Sequence, residues 1–191
     1  MMGNPIKLDG LWTEGYAFDY HTVSSKYLGE DPFGNKRFST TYTEVGKLLY
    51  RMKYNGRENT SLDILNLCIP FLDKWLRDKQ IDCILPISPS EIRTTQPIFL
   101  IAETIASHYN IPYASDVLRK NSKVPSKTLA KGNKDLTGTI DVLRRAVRHC
   151  NLLLIDDLFS TGATATECTR KLKEDPLIDE IYIFAISKTR T

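Results

Sequence analysis

The chain has 191 residues, 41% of them hydrophobic and 26% charged, with a formal net charge of +3. Such a length buries a core without staples and suits one domain of ordinary globular composition. The charge is too small to argue by itself for a nucleic-acid or membrane partner; no apolar run approaches a membrane span and no signal-peptide core opens the chain, so a cytoplasmic protein is expected.

Residues 17–23 alternate weakly, with Tyr16, Phe18 and Tyr20 on one face, which predicts a half-buried strand. Asp31-Pro32-Phe33-Gly34-Asn35 is dense in turn formers and lies between Tyr27-Leu28 and Arg37-Phe38, so a hairpin is expected there. Trp12, Tyr16, Phe18, Tyr20 and Tyr27 read as the small core of that hairpin, with a base-stacking platform as the alternative. Thr41-Tyr42-Thr43-Glu44 has the pattern of a capping box. The helix it opens carries Val45, Leu48, Leu49 and Met52 and stops near Asn55-Gly56. Thr60 to Asp63 opens a second helix bearing Leu65, Cys68, Phe71, Leu72, Trp75 and Leu76, which Pro70 should kink or break.

Ile81 to Pro86 reads as a core strand, and Ile98, Ile101, Ala102, Ile105, Ala106 and Tyr109 as the buried face of a helix with Pro97 in its first turn. The loop between them holds Ser88, Ser90 and Arg93, which can offer N–H groups, hydroxyls and a cation to phosphate oxygens; a plain connection with a surface arginine is the alternative. Ile111 to Leu118 contains short strand-edge patterns. Arg119 to Lys134 then carries Arg119, Lys120, Lys123, Lys127, Lys131 and Lys134 without one acid. Its Pro, Gly and Ser content argues against regular structure, and its charge suits a lid over a polyphosphate. A solvated basic loop that touches a nucleic-acid backbone non-specifically is the competing reading. Leu136, Ile140, Leu143 and Val147 suggest a short helix or an extended segment.

Leu152-Leu153-Leu154-Ile155 is apolar without interruption, as in a strand covered on both faces. Asp156 and Asp157 follow at its carboxyl end, where open α/β sheets bind ligands. Ser160, Thr161, Gly162, Ala163 and Thr164 come next, a small-residue loop able to turn backbone N–H groups toward an anion at a helix N-terminus. An acid pair beside an anion cradle suits a sugar phosphate. Ala165, Cys168 and Leu172 mark the inner face of the following helix, and Ile181 to Ile186 is a last, central strand.

Four cysteines, at 68, 83, 150 and 168, form no close pair and read as reduced thiols. His21, His108 and His149 are scattered, so no metal site built by the protein is expected. Neither repeats nor a linker divide the chain. Residues 1–191 are read as one domain, a cap over 1–60 and an α/β core over 61–191.

Residues 152–164, Leu-Leu-Leu-Ile-Asp-Asp-Leu-Phe-Ser-Thr-Gly-Ala-Thr, resemble the phosphoribosyl pyrophosphate (PRPP) signature of type I phosphoribosyltransferases. Phe159 is bulkier than the aliphatic residue usual there. The order of elements over roughly 42–187 is similar to the ComF-like branch, through Lys53-Tyr54-Asn55-Gly56 after a helix and Pro86 to Ser90 followed by Arg93. The N-terminal zinc-binding cysteines of many ComF proteins are absent, as no cysteine precedes Cys68.

The resemblance implies a doubly wound, mostly parallel α/β sheet with an N-terminal hairpin-plus-helix cap. It implies that Asp156 and Asp157 take the ribose hydroxyls and that Ser160 to Thr164 bind the 5′-phosphate. Ser88, Ser90, Arg93, Lys120, Lys123 and Lys127 would hold pyrophosphate, with Mg²⁺ carried by PRPP and not by a protein ligand set. The expected activity is phosphoribosyl transfer to an unidentified nucleophilic acceptor. A PRPP-sensing regulator without chemistry, or a subunit of a homodimer or larger assembly, are the competing readings.

Overall fold

The computed structural model describes residues 4–55, 60–87, 96–121 and 136–190. Among these, a five-stranded sheet has the order β1-β2-β9-β8-β5. Its strands are β1 (Ile6–Lys7), β2 (Glu14–Tyr20), β9 (Ile178–Lys188), β8 (Cys150–Phe159) and β5 (Cys83–Pro86). All pairs are parallel except β1 on β2. The neighbouring inner strands β8 and β9 each carry an uninterrupted apolar run, Leu152 to Ile155 and Ile181 to Ile186, because a strand covered on both faces can bury successive side chains.

Helices lie on both faces. Leu153, Ile155, Phe184 and Ile186 pack against α1 (Glu44–Asn55), α2 (Thr60–Leu76) and α3 (Pro97–Tyr109). Leu152, Leu154, Ile183 and Ala185, one residue out of phase, pack against α4 (Ala163–Leu172) and a ribbon of β6 (Leu118–Lys120) and β7 (Ile140–Val142). The expected doubly wound architecture is therefore present. The cap is present as well: β3 (Thr22–Glu30) and β4 (Lys36–Tyr42) form an antiparallel hairpin that leads into α1. Its turn is held by Asp31, whose carboxylate accepts the N–H groups of Phe33 and Asn35 at 2.8 and 2.9 Å.

Three local expectations are corrected. Thr43, not Thr41, caps α1, accepting the Gly46 N–H at 3.1 Å, because Thr41 belongs to β4. Pro70 does not break α2; it and Asn66 share the exposed face, so the carbonyl that loses its partner can turn to water. The aromatic residues do not form a hairpin core: Trp12 meets Phe159 beneath the sheet, and Tyr16 packs on Phe71 and Trp75 of α2. Tyr27 alone of that group lies on the hairpin, 50% exposed against Phe38. Of the two readings for the segment from Leu136, the extended one holds over β7, while Leu143 is exposed and Val147 is 95% exposed.

Candidate functional site

The carboxyl ends of the four parallel strands share one edge of the sheet, and the signature residues gather there. Strand β8 runs on through Phe159, so Asp156 and Asp157 lie within its last turn of pleat and not beyond it. Consecutive strand positions face opposite sides. Asp157 shares the phase of Leu153 and Ile155 and meets Lys53, from the last turn of α1, at 2.5 Å. Asp156 has the opposite phase and sits opposite Ala185 of β9. Burial, and then the charge of Asp157, push the Asp156 carboxyl up to about 7, against a smaller downward pull from the backbone N–H groups of Leu158 and Asp157 and from Lys53. Near neutral pH the edge thus offers one carboxylate in an ion pair and one carboxyl close to its midpoint. Such a pair can accept from one hydroxyl of a diol and exchange donor and acceptor roles with the other.

After Phe159 the chain turns through Ser160 and Thr161 to Gly162, which precedes α4 with φ at +79°. Two separate constraints require glycine here. The left-handed backbone disfavours any β-carbon, and one placed on Gly162 would lie 2.6 Å from Cζ of the Phe159 ring. The bulk of Phe159, wedged against Trp12 with ring centroids 6.0 Å apart, therefore forms the floor of the loop. Ala163 and Thr164 are already in the first turn of the helix, so the cradle is Ser160 to Gly162 plus the amino end of α4. Thr189, after β9, braces the loop by donating its N–H to the Phe159 carbonyl at 2.9 Å.

The other face of α4 is tied down by a buried acid. The Glu167 carboxylate accepts Nε and Nη2 of Arg170, each at 2.8 Å, and the backbone N–H of Gly138 at 2.7 Å. Arg170, more than any other contact, holds this carboxyl below its ordinary range. Lys120 ends β6 opposite Ile140 on the α4 side of the sheet. Ser88, Ser90, Arg93, Lys123 and Lys127 lie outside the described residues. Among the described residues no group of three His, Cys, Asp or Glu side chains could hold a metal ion.

The fold also brings two residues to the edge from far away in sequence. Lys53 is one. The other is His21, at the break between β2 and the hairpin, whose N–H bonds the Lys188 carbonyl at 2.8 Å. Its Nδ1 lies 3.1 Å from Ser187 Oγ, and that hydroxyl is itself 3.1 Å from the Asp157 carbonyl. Burial and then Lys53 hold the imidazole below its usual range, with Asp157 opposing them. Sequence reasoning left His21 among scattered histidines. Its place inside the strand expected over residues 17–23 gave no signal of this role. Lys53 was visible only as part of Lys-Tyr-x-Gly, with no hint of its partner.

No family model matches the chain. It is 31% identical over 109 residues to an adenine phosphoribosyltransferase of Campylobacter hominis, covering 54% of each protein. It is 35% identical over 51 residues to the transcriptional regulator GfcR of Methanocaldococcus jannaschii, covering 27% of this chain and 24% of that one. The chain thus spans about half the length of the first of these curated relatives and a quarter of the second. Among solved structures, adenine phosphoribosyltransferase of Giardia lamblia with 9-deazaadenine superposes with a TM-score of 0.49 at 15% identity, over 87% of this chain and 94% of that one. A hypoxanthine phosphoribosyltransferase of Staphylococcus aureus superposes with a TM-score of 0.44 at 14% identity, over 67% and 73%.

Proposed function

We propose that this protein is a type I phosphoribosyltransferase, close to the ComF-like branch in its order of elements, working in the cytoplasm on PRPP and a nucleobase-type acceptor. The observation that carries the reading is the juxtaposition of Asp156 and Asp157 with the Gly162 cradle at the carboxyl edge of the sheet. The partial similarity to an adenine phosphoribosyltransferase supports it and makes adenine the first acceptor to try. No helix among the described residues is long and apolar enough to cross a membrane.

In this reading the Ser160 to Thr164 loop anchors the 5′-phosphate on backbone N–H groups, and the two aspartates take the ribose hydroxyls. Cleavage of the anomeric C–O bond builds positive charge on the ribose and negative charge on pyrophosphate. Asp157 faces the first; Ser88, Ser90, Arg93, Lys120, Lys123 and Lys127 are assigned to the second. Mg²⁺ on the pyrophosphate would offset part of the leaving group's charge. The work is mainly positioning and electrostatics. A homodimer or a protein partner is compatible with it.

The similarity to a transcriptional regulator favours a second reading, a PRPP sensor that keeps the pocket without turnover. One experiment separates the two. Mg²⁺-PRPP is titrated calorimetrically, and pyrophosphate release is followed with adenine, guanine, hypoxanthine, uracil and orotate. Turnover with one acceptor, abolished by Asp157→Asn, supports the transferase. Binding without release for every acceptor supports the sensor, and no binding of PRPP would sink both.

A further inference from the structure

We infer that His21 is the general base of this site, taking the proton from the acceptor nitrogen as that nitrogen attacks the ribose. The inference rests on the transferase reading above and supplies the proton acceptor that reading lacks.

The argument starts from a hydroxyl. Ser187 is fully buried on β9, and its Oγ lies 3.1 Å from both the Asp157 carbonyl and His21 Nδ1. A carbonyl only accepts, and a serine hydroxyl has one proton, so that proton points at Asp157. Ser187 Oγ can then only accept from His21, which places the imidazole hydrogen on Nδ1. In the neutral ring this leaves the lone pair on Nε2, and Nε2 has no hydrogen-bond partner among the described residues. The relay Asp157 carbonyl, Ser187, His21 Nδ1 thus selects the tautomer that a base needs, as an orienting group does for other catalytic histidines.

The surroundings favour the neutral ring over the imidazolium. Of the titratable and charged groups on the elements packed around it, those nearest in sequence or register are Asp19 and Tyr20 of β2, Tyr42 of β4, Glu44 and Lys47 of α1, and Lys188 with the following Arg190, while Lys53 of α1 and Asp157 of β8 are the charges that act on the ring. Tyr42 lies edge-on to the imidazole at 5.4 Å between centroids. Burial and Lys53 disfavour the imidazolium, while Asp157, already bound to Lys53, offsets only part of this. His21 also stands at the carboxyl end of β2, two strands from the aspartates on the same sheet edge, where the hairpin springs from the sheet.

The step balances without a further reagent. The acceptor N–H attacks the anomeric carbon, forming C–N as the C–O bond to pyrophosphate breaks. Pyrophosphate leaves with that electron pair, and the nitrogen's proton passes to His21 Nε2. The imidazolium so formed has Asp157 nearby and returns its proton to water after release.

His21→Asn is the informative variant, because its amide N–H can still donate to Ser187 while the base is gone. With Mg²⁺-PRPP and the acceptor that wild type uses, kcat should fall about a hundredfold or more. The acid limb of the wild-type kcat profile should disappear, and PRPP affinity, measured calorimetrically, should stay within about twofold, showing that the fold and the ribose site are intact. A variant that keeps wild-type kcat, or one slowed with its acid limb unchanged, overturns the inference and leaves the transferase reading standing. Absence of turnover in wild type across the nucleobase panel overturns the transferase reading, and the inference falls with it.

Discussion

Asp156→Asn should make the protein more stable above neutral pH and leave its stability near pH 4 almost unchanged. An exposed aspartate titrates near 4, whereas in the fold this carboxyl is pushed up to about 7 by burial and by Asp157. At about 1.4 kcal/mol per tenfold, ionising it in the native state costs roughly 4 kcal/mol more than in the unfolded chain. The sign follows from proton counting. Below about pH 4 both states are protonated and nothing is lost. Between there and about 7 the unfolded chain has released its proton while the native state keeps it, so stability falls as pH rises. Above about 7 the full penalty stands. The asparagine carries no such charge, so the gap between variant and wild type should open through this window and level off near pH 8, at about 2–4 kcal/mol once residual solvent access to the carboxyl is allowed for. Urea melts at half-unit intervals from pH 4 to 8.5 read the gap directly. Lys53→Met offers a second arm: without the cation the Asp156 midpoint should move higher, extending the window toward alkaline pH. A gap that is flat with pH, or an asparagine variant less stable than wild type at pH 8, would refute the reasoning. In the same variant PRPP binding should weaken, since the proposed reading sets this carboxyl on a ribose hydroxyl.

Gly162→Ala combines a left-handed backbone with a β-carbon 2.6 Å from Phe159, and should destabilise by about 2–5 kcal/mol. Adding Phe159→Leu should recover the steric part and not the backbone part, a cycle measurable by urea midpoints at constant slope. Glu167→Gln should cost about 1–3 kcal/mol, because Arg170 and the Gly138 N–H lose an ionised acceptor. As the native carboxyl is held below its ordinary range, this contribution is present above about pH 4.3 and lost on acidification, so the acid limb of the stability profile should flatten in the variant.

The amino-acid sequence by itself determined the layers of this fold and marked the centre of the candidate site. Leu152 to Ile155 and Ile181 to Ile186 are apolar at every position, which only a strand covered on both faces tolerates; the two acids and the glycine loop follow one of them without a gap. Local signals were weaker where one residue type serves several ends. Thr41 and Thr43 both fit a cap until the end of β4 is known, and Leu143 and Val147 carry helical spacing with nothing to pack on. Tertiary structure alone decided which distant residues meet the signature. Parallel pairing puts the ends of β2, β9 and β8 side by side, so His21, Ser187 and Asp157 become neighbours across 166 and 30 residues of chain. Packing of α1 on the same face sets Lys53 against Asp157. Such contacts leave no periodicity and no spacing in the sequence, because they follow from strand order. The acid pair and its loop were legible because one strand and one helix carry them; the places of His21 and Lys53 were not, because the sheet assembles them.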